Sequence, residues 1–159
     1  MKRIAWAIAL AALSVPGLVL LPPGASAGDD CTIVGTAGPD ELIGTPGRDI
    51  ICGLAGADFI NGRGGADVIR GGNGDDYLKG RAGDDLLRGG LGIDYIVSGK
   101  GYDTVYGGRG SDRCLRTADN APGDNLVGGQ GQDTYRADDG DLVSTAEISV
   151  AACEDPPTF

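Results

Sequence analysis

The chain has 159 residues, 30 glycines, a formal net charge of −10 and no histidine. That is room for one ordinary domain, and its acidity repels nucleic acid and anionic membrane surfaces. The lack of histidine excludes an H-E-x-x-H zinc site and a Ser-His-Asp triad.

The first segment, residues 1–27, reads as a secretory signal peptide. Lys2 and Arg3 precede an apolar run from Ile4 to Leu21, and Ala25, Ser26 and Ala27 supply small residues for cleavage after Ala27. A transmembrane anchor is the competing reading, because the run is about long enough to span. Pro16 and Gly17 interrupt it, which favours cleavage. Removal of Lys2 and Arg3 leaves the mature chain more acidic still, and no membrane association is expected after cleavage.

Residues 28–34 form a short N-terminal cap. From Gly35 the chain repeats every nine residues: GTAGPDELI, GTPGRDIIC, GLAGADFIN, GRGGADVIR, GGNGDDYLK, GRAGDDLLR, GGLGIDYIV, SGKGYDTVY and GGRGSDRCL, ending at Leu115. Position 4 is always Gly. Position 6 is always Asp: Asp40, Asp49, Asp58, Asp67, Asp76, Asp85, Asp94, Asp103 and Asp112. Position 1 is Gly except at Ser98. Position 8 is the apolar row Leu42, Ile51, Ile60, Ile69, Leu78, Leu87, Ile96, Val105 and Cys114. The register slips by three residues at Arg116-Thr117-Ala118 and resumes in DNAPGDNLV and GGQGQDTYR, which add Asp124 and Asp133. The repeat region is therefore 35–136, and 137–159 is a C-terminal cap and tail.

Position 4 needs a backbone with φ > 0, which Gly reaches without steric cost. Positions 1 to 6 read as a tight turn and positions 7 to 9 as a short strand. Strand alternation points position 8 inward and position 7 outward. The outward row carries Phe59, Tyr77 and Tyr95 on one sheet and Ile50, Val68 and Leu86 on the other. Such rows pack as in-sheet ladders. The sharper reading of Phe59, Tyr77 and Tyr95 is a contact surface for a cell-surface glycan or protein. At position 9, Arg70 and Arg88 share one sheet, and Asn61 and Lys79 the other.

The period and its residues resemble the RTX, or haemolysin-type, calcium-binding nonapeptide G-G-x-G-x-D-x-U-x, where U is a large aliphatic residue. The resemblance implies an all-β, right-handed parallel β-roll, a β-solenoid of about eleven repeats with two repeats per coil. It implies Ca²⁺ between stacked turns. Its ligands would be the side chains of Asp40, Asp49, Asp58, Asp67, Asp76, Asp85, Asp94, Asp103, Asp112, Asp124 and Asp133. Backbone carbonyls such as those of Gly71, Asn73, Gly89, Leu91, Gly107 and Arg109 would complete the cages. All-oxygen cages suit Ca²⁺, which takes six to eight oxygen ligands. Pairing repeats two apart gives about seven ions, with one or two more near Asp124 and Asp133. Arg48 and Pro39 set the first sites apart, and a metal-poor capping coil is the alternative there.

Four cysteines in an exported chain favour disulfides, and they allow three pairings. Proximity in sequence favours Cys31–Cys52 and Cys114–Cys153, one staple near each end. The periodic acids argue for metal ligation, so an enzyme is not expected. The expected function is a secreted, extracellular calcium-binding protein whose folding depends on the ion. The alternative is an extracellular structural or adhesive surface protein that uses the roll as a rigid contact surface.

Overall fold

The computed structural model describes residues 30–117, 119, 122–137, 139–144 and 148–149. The expected leader at 1–27, Cys153 and the end of the tail lie outside them. Among the described residues fourteen strands follow in chain order. They are β1 (Ile33–Val34), β2 (Glu41–Ile43), β3 (Ile50–Ala55), β4 (Phe59–Gly64), β5 (Val68–Asn73), β6 (Tyr77–Ala82) and β7 (Leu86–Leu91). The second half comprises β8 (Tyr95–Lys100), β9 (Thr104–Arg109), β10 (Arg113–Arg116), β11 (Asn125–Gln130), β12 (Asp133–Arg136), β13 (Leu142–Ser144) and β14 (Ile148–Ser149).

Odd strands form one seven-stranded sheet and even strands the other, each in sequential order. Neighbours pair in parallel, as in Ile51 with Ile69 and Leu78 with Ile96. Two strands thus make one coil of a parallel β-roll. The eleven repeats supply β2 to β12. Three further strands, β1, β13 and β14, extend the sheets where the nonapeptide pattern is absent.

The full strands run six residues, from position 7 to position 3 of the next repeat, so the turn shrinks to positions 4 to 6. The expected three-residue strand is too short because positions 1 to 3 also have backbone groups to satisfy, and the neighbouring coil supplies partners. Alternation then carries through three inward positions: Asp at 6, the aliphatic at 8 and Gly at 1. Asp76, Leu78 and Gly80 are buried, with partly exposed Tyr77 and Lys79 between them. The aliphatic row Ile51, Ile60, Ile69, Leu78, Leu87, Ile96, Val105, Leu115 and Leu126 forms a core with no solvent exposure.

That row corrects the expected place of Cys114. On β10, Arg113 pairs with Tyr95 but Arg116 with Val97, so three steps oppose two. This is a β-bulge, in which one extra residue leaves the ladder. Cys114 takes the extra place at φ +57, and its N–H donates to Thr134 Oγ1 at 2.9 Å. Leu115 moves into the inner row and pairs with Tyr135. Cys31–Cys52 is bonded as expected and ties β3 to the chain entering β1. Cys114 is also disulfide-bonded; the second half of the expected Cys114–Cys153 pair lies outside the described residues.

On the outer face, Phe59, Tyr77 and Tyr95 stack with ring centroids 5.4 and 4.8 Å apart. The Lys79 ammonium sits 4.6 Å from the Tyr77 ring centre. Arg70 pairs with Arg88, whose guanidinium lies over Tyr106.

Candidate metal centre

The position-6 aspartates form two rows, one along each edge of the roll. Asp40, Asp58, Asp76, Asp94, Asp112 and Asp133 make the first row; Asp49, Asp67, Asp85, Asp103 and Asp124 make the second. Within a row each Asp N–H donates to Oδ1 of the Asp one coil on, at 2.9 Å from Asp58 to Asp76 and 2.8 Å from Asp85 to Asp103. The same bond runs from Asp40 to Asp58 and from Asp112 to Asp133, across the register slip. All eleven expected side chains therefore fall into these two rows.

The second oxygen behaves differently. Oδ2 of Asp58, Asp67, Asp76, Asp85, Asp94, Asp103, Asp112, Asp124 and Asp133 is buried with no hydrogen-bond partner. An unpaired buried carboxylate is costly, so such a group gains a proton or a counter-ion. Burial pushes Asp85 and Asp94 up to about 7 and Asp76, Asp112 and Asp124 up to about 6; the accepted N–H offsets part of the rise and neighbouring carboxylates add to it. Asp58, Asp67 and Asp103 are raised by burial as well. The Arg48 guanidinium opposes the rise at Asp67, and the Ser98 hydroxyl opposes it at Asp103.

At the position-1 glycines the carboxylate occupies the space of a side chain; Ser98 is the exception before the register slip. A Cβ on Gly71 would collide with Asp76 Oδ2 and lie 2.8 Å from the Gly89 carbonyl oxygen. The Asp76 carboxylate and the next coil's position-1 carbonyl thus converge beside the Gly71 α-carbon. Asp58 with Gly71 and Asp94 with Gly107 repeat the arrangement beside Gly53 and Gly89. The carbonyls expected at position 3 lie on the stacked turns. Those of Asn73, Leu91 and Arg109 accept the N–H of Gly56, Gly74 and Gly92 at 2.8, 2.7 and 2.9 Å.

Among the described residues no three acidic, histidine or cysteine side chains converge on one point. A cation here must draw on backbone carbonyls as well as carboxylates. An oxygen-only environment with uncompensated negative charge suits a hard divalent cation.

The near ends of both rows, and the far end of the second, meet hydroxyl groups. The Thr36 N–H and Oγ1 donate to Asp40 Oδ2 at 2.6 and 3.0 Å, and the Thr45 N–H and Oγ1 to Asp49 Oδ2 at 2.6 and 2.9 Å. At the other end Asp141 continues the second row: Asp124 N–H donates to its Oδ1 at 3.1 Å, and Thr117 Oγ1 to its Oδ2 at 2.8 Å. Asp141 escapes the sequence pattern because Arg136, Ala137 and Asp139 stand where the repeat has Gly, and Gly140 falls out of register. The remaining signal is an Asp two residues before Val143, which packs against the core.

A family model for the RTX calcium-binding nonapeptide repeat, in four copies, matches residues 26–60, 61–96 and 88–120. No curated protein matches the chain. No solved structure matches it either.

Proposed function

Because the chain belongs to the RTX calcium-binding nonapeptide repeat family, we propose that this calcium-binding β-roll is exported and completes its folding on Ca²⁺. The observation that carries the reading is the set of buried Asp Oδ2 atoms without partners, from Asp58 to Asp133. Each would act as a ligand, with the position-1 carbonyls of Gly71, Gly89 and Gly107 beside it. When bound, Ca²⁺ supplies the positive charge that these rows lack. The inner row offers one aliphatic per nine residues, which is thin against roughly 1–2 kcal/mol of backbone entropy per residue. Ion binding would then contribute folding free energy directly.

Export fits the leader-like N-terminus and the Cys31–Cys52 bond, since disulfides persist in oxidising compartments. Extracellular calcium modules work with affinities of about 10⁻⁴–10⁻³ M, so the calcium-dependent coils would be incompletely folded where calcium is scarce and complete their folding outside. The repeat family is a calcium-binding one rather than a catalytic one. An adhesive role for Phe59, Tyr77 and Tyr95 draws less support, because these half-buried rings stack on one another.

The test is far-UV circular dichroism of the oxidised protein, titrated from chelator to about 10 mM Ca²⁺, above the affinity range of such modules, with Mg²⁺ as control. A cooperative gain of β signal with Ca²⁺ alone is expected. A full β spectrum in chelator would refute the coupling.

A further inference from the structure

We infer that Thr36 and Thr45 stand in for the cation at the first two turns, so the N-terminal end of the roll is a metal-independent cap on which the calcium-dependent coils stack. This rests on the calcium reading of the same rows.

Three observations agree. First, Oδ2 of Asp40 and Asp49 each receives two donors from the Thr at position 2, whereas the next nine aspartates have no donor within hydrogen-bond distance there, the Ser98 hydroxyl near Asp103 donating to the Arg116 carbonyl instead. Second, position 2 has a different backbone in the two groups. In later repeats it takes positive φ, even at Leu54 (82°), Arg63 (74°) and Arg81 (89°), but Thr36 and Thr45 do not. A β-branched residue is a poor occupant of that region. The alternative conformation turns its N–H onto the carboxylate. Third, the strands that lead into these two turns stop early: β1 has two residues and β2 three, against six for β3 to β9. The Cys31–Cys52 bond then staples this same end without metal. At the far end the Thr117 hydroxyl reaches Asp141 Oδ2 from another coil.

The consequence is a stoichiometry. The unpartnered carboxylates form a row of five (Asp58, Asp76, Asp94, Asp112, Asp133) and a row of four (Asp67, Asp85, Asp103, Asp124). Four gaps in the first and three in the second give seven sites, none of which uses Asp40 or Asp49.

Native mass spectrometry of the oxidised full chain in excess Ca²⁺ tests this. Seven ions are expected. The double variant Thr36→Gly/Thr45→Gly, which frees Asp40 and Asp49, is expected to bind nine. Nine ions on the unsubstituted protein, or an unchanged count in the variant, would overturn the cap. No bound Ca²⁺ at all would overturn the calcium reading beneath it. Hydrogen exchange of the unsubstituted protein in chelator decides the matter if the variant does not fold. The Thr36 and Thr45 amides should exchange at least about tenfold more slowly than the amides of Asp76 and Asp85, a gap of roughly 1.4 kcal/mol in opening free energy. Uniform exchange along the chain would refute the cap, while protection of every coil on adding Ca²⁺ would leave the calcium reading standing.

Discussion

Asp76 Oδ1 accepts the backbone N–H of Asp58 at 2.9 Å, while its Oδ2 is buried without a partner. One carboxylate thus joins two coils and leaves an uncompensated charge between them. Replacing Asp76 by Asn keeps an oxygen for the Asp58 N–H and removes that charge. The Asp76→Asn protein should hold more β structure than the unsubstituted one in chelator at pH 7.5. It should also lose calcium affinity by roughly 10–100-fold or more at the adjoining sites, since even indirect partners of a metal cost that much. Circular dichroism in chelator and calorimetric titration check the two arms.

Asp76, Asp85, Asp94, Asp112 and Asp124 are all raised by burial, to about 6 or about 7. An acid whose folded pKa exceeds its unfolded value of about 3.9 keeps its proton in the folded state while the unfolded chain loses it. The metal-free roll is therefore most stable below about pH 4 with respect to these groups, and loses stability as pH rises to about 7. Calcium competes with the same protons, so its apparent affinity should rise over that window. Denaturation of metal-free protein at pH 5 and pH 8, with calcium titrations at both, would read both slopes. Greater metal-free stability at pH 8 contradicts the prediction.

Gly74 occupies position 4 at φ +129°, and a Cβ there would lie 2.7 Å from the Gly56 carbonyl carbon. Gly74→Ala combines a backbone strain of about 1–3 kcal/mol with a clash against the coil below. The thermal midpoint in saturating Ca²⁺ should fall by several degrees. An unchanged midpoint would mean that the turns have slack.

Arg81 holds position 2 at φ +89°, a conformation that costs a side-chain-bearing residue about 1–2 kcal/mol. Arg81→Gly relieves it, less the roughly 0.4–1 kcal/mol by which Gly loosens the unfolded chain. A net gain of up to about 1 kcal/mol is expected in calcium-saturated urea denaturation. Arg88→Gly, inside β7 and over the Tyr106 ring, should destabilise instead.

The nine-residue period, the aspartate rows and the inner aliphatics were legible in the sequence alone. Each nonapeptide carries its own turn and strand, so the alternation from Asp76 to Leu78 is local and needs no knowledge of a neighbour. The Cys31–Cys52 pairing was also legible, because these two lie nearer in sequence to each other than to Cys114 or Cys153. What only the tertiary structure decided depends on coils about eighteen residues apart lying against one another. The bulge that hands the inner place from Cys114 to Leu115 is visible only from the pairings with Tyr95 and Val97. Asp141 joins the second row because Asp124 reaches it across a coil, where the pattern glycines are replaced. Whether an aspartate's second oxygen meets a threonine, as at Asp40 and Asp49, or nothing, as at Asp76, is set by how each turn folds over its own carboxylate once the coils are stacked. Period and polarity are written residue by residue, whereas the satisfaction of a buried charge is a property of the stack.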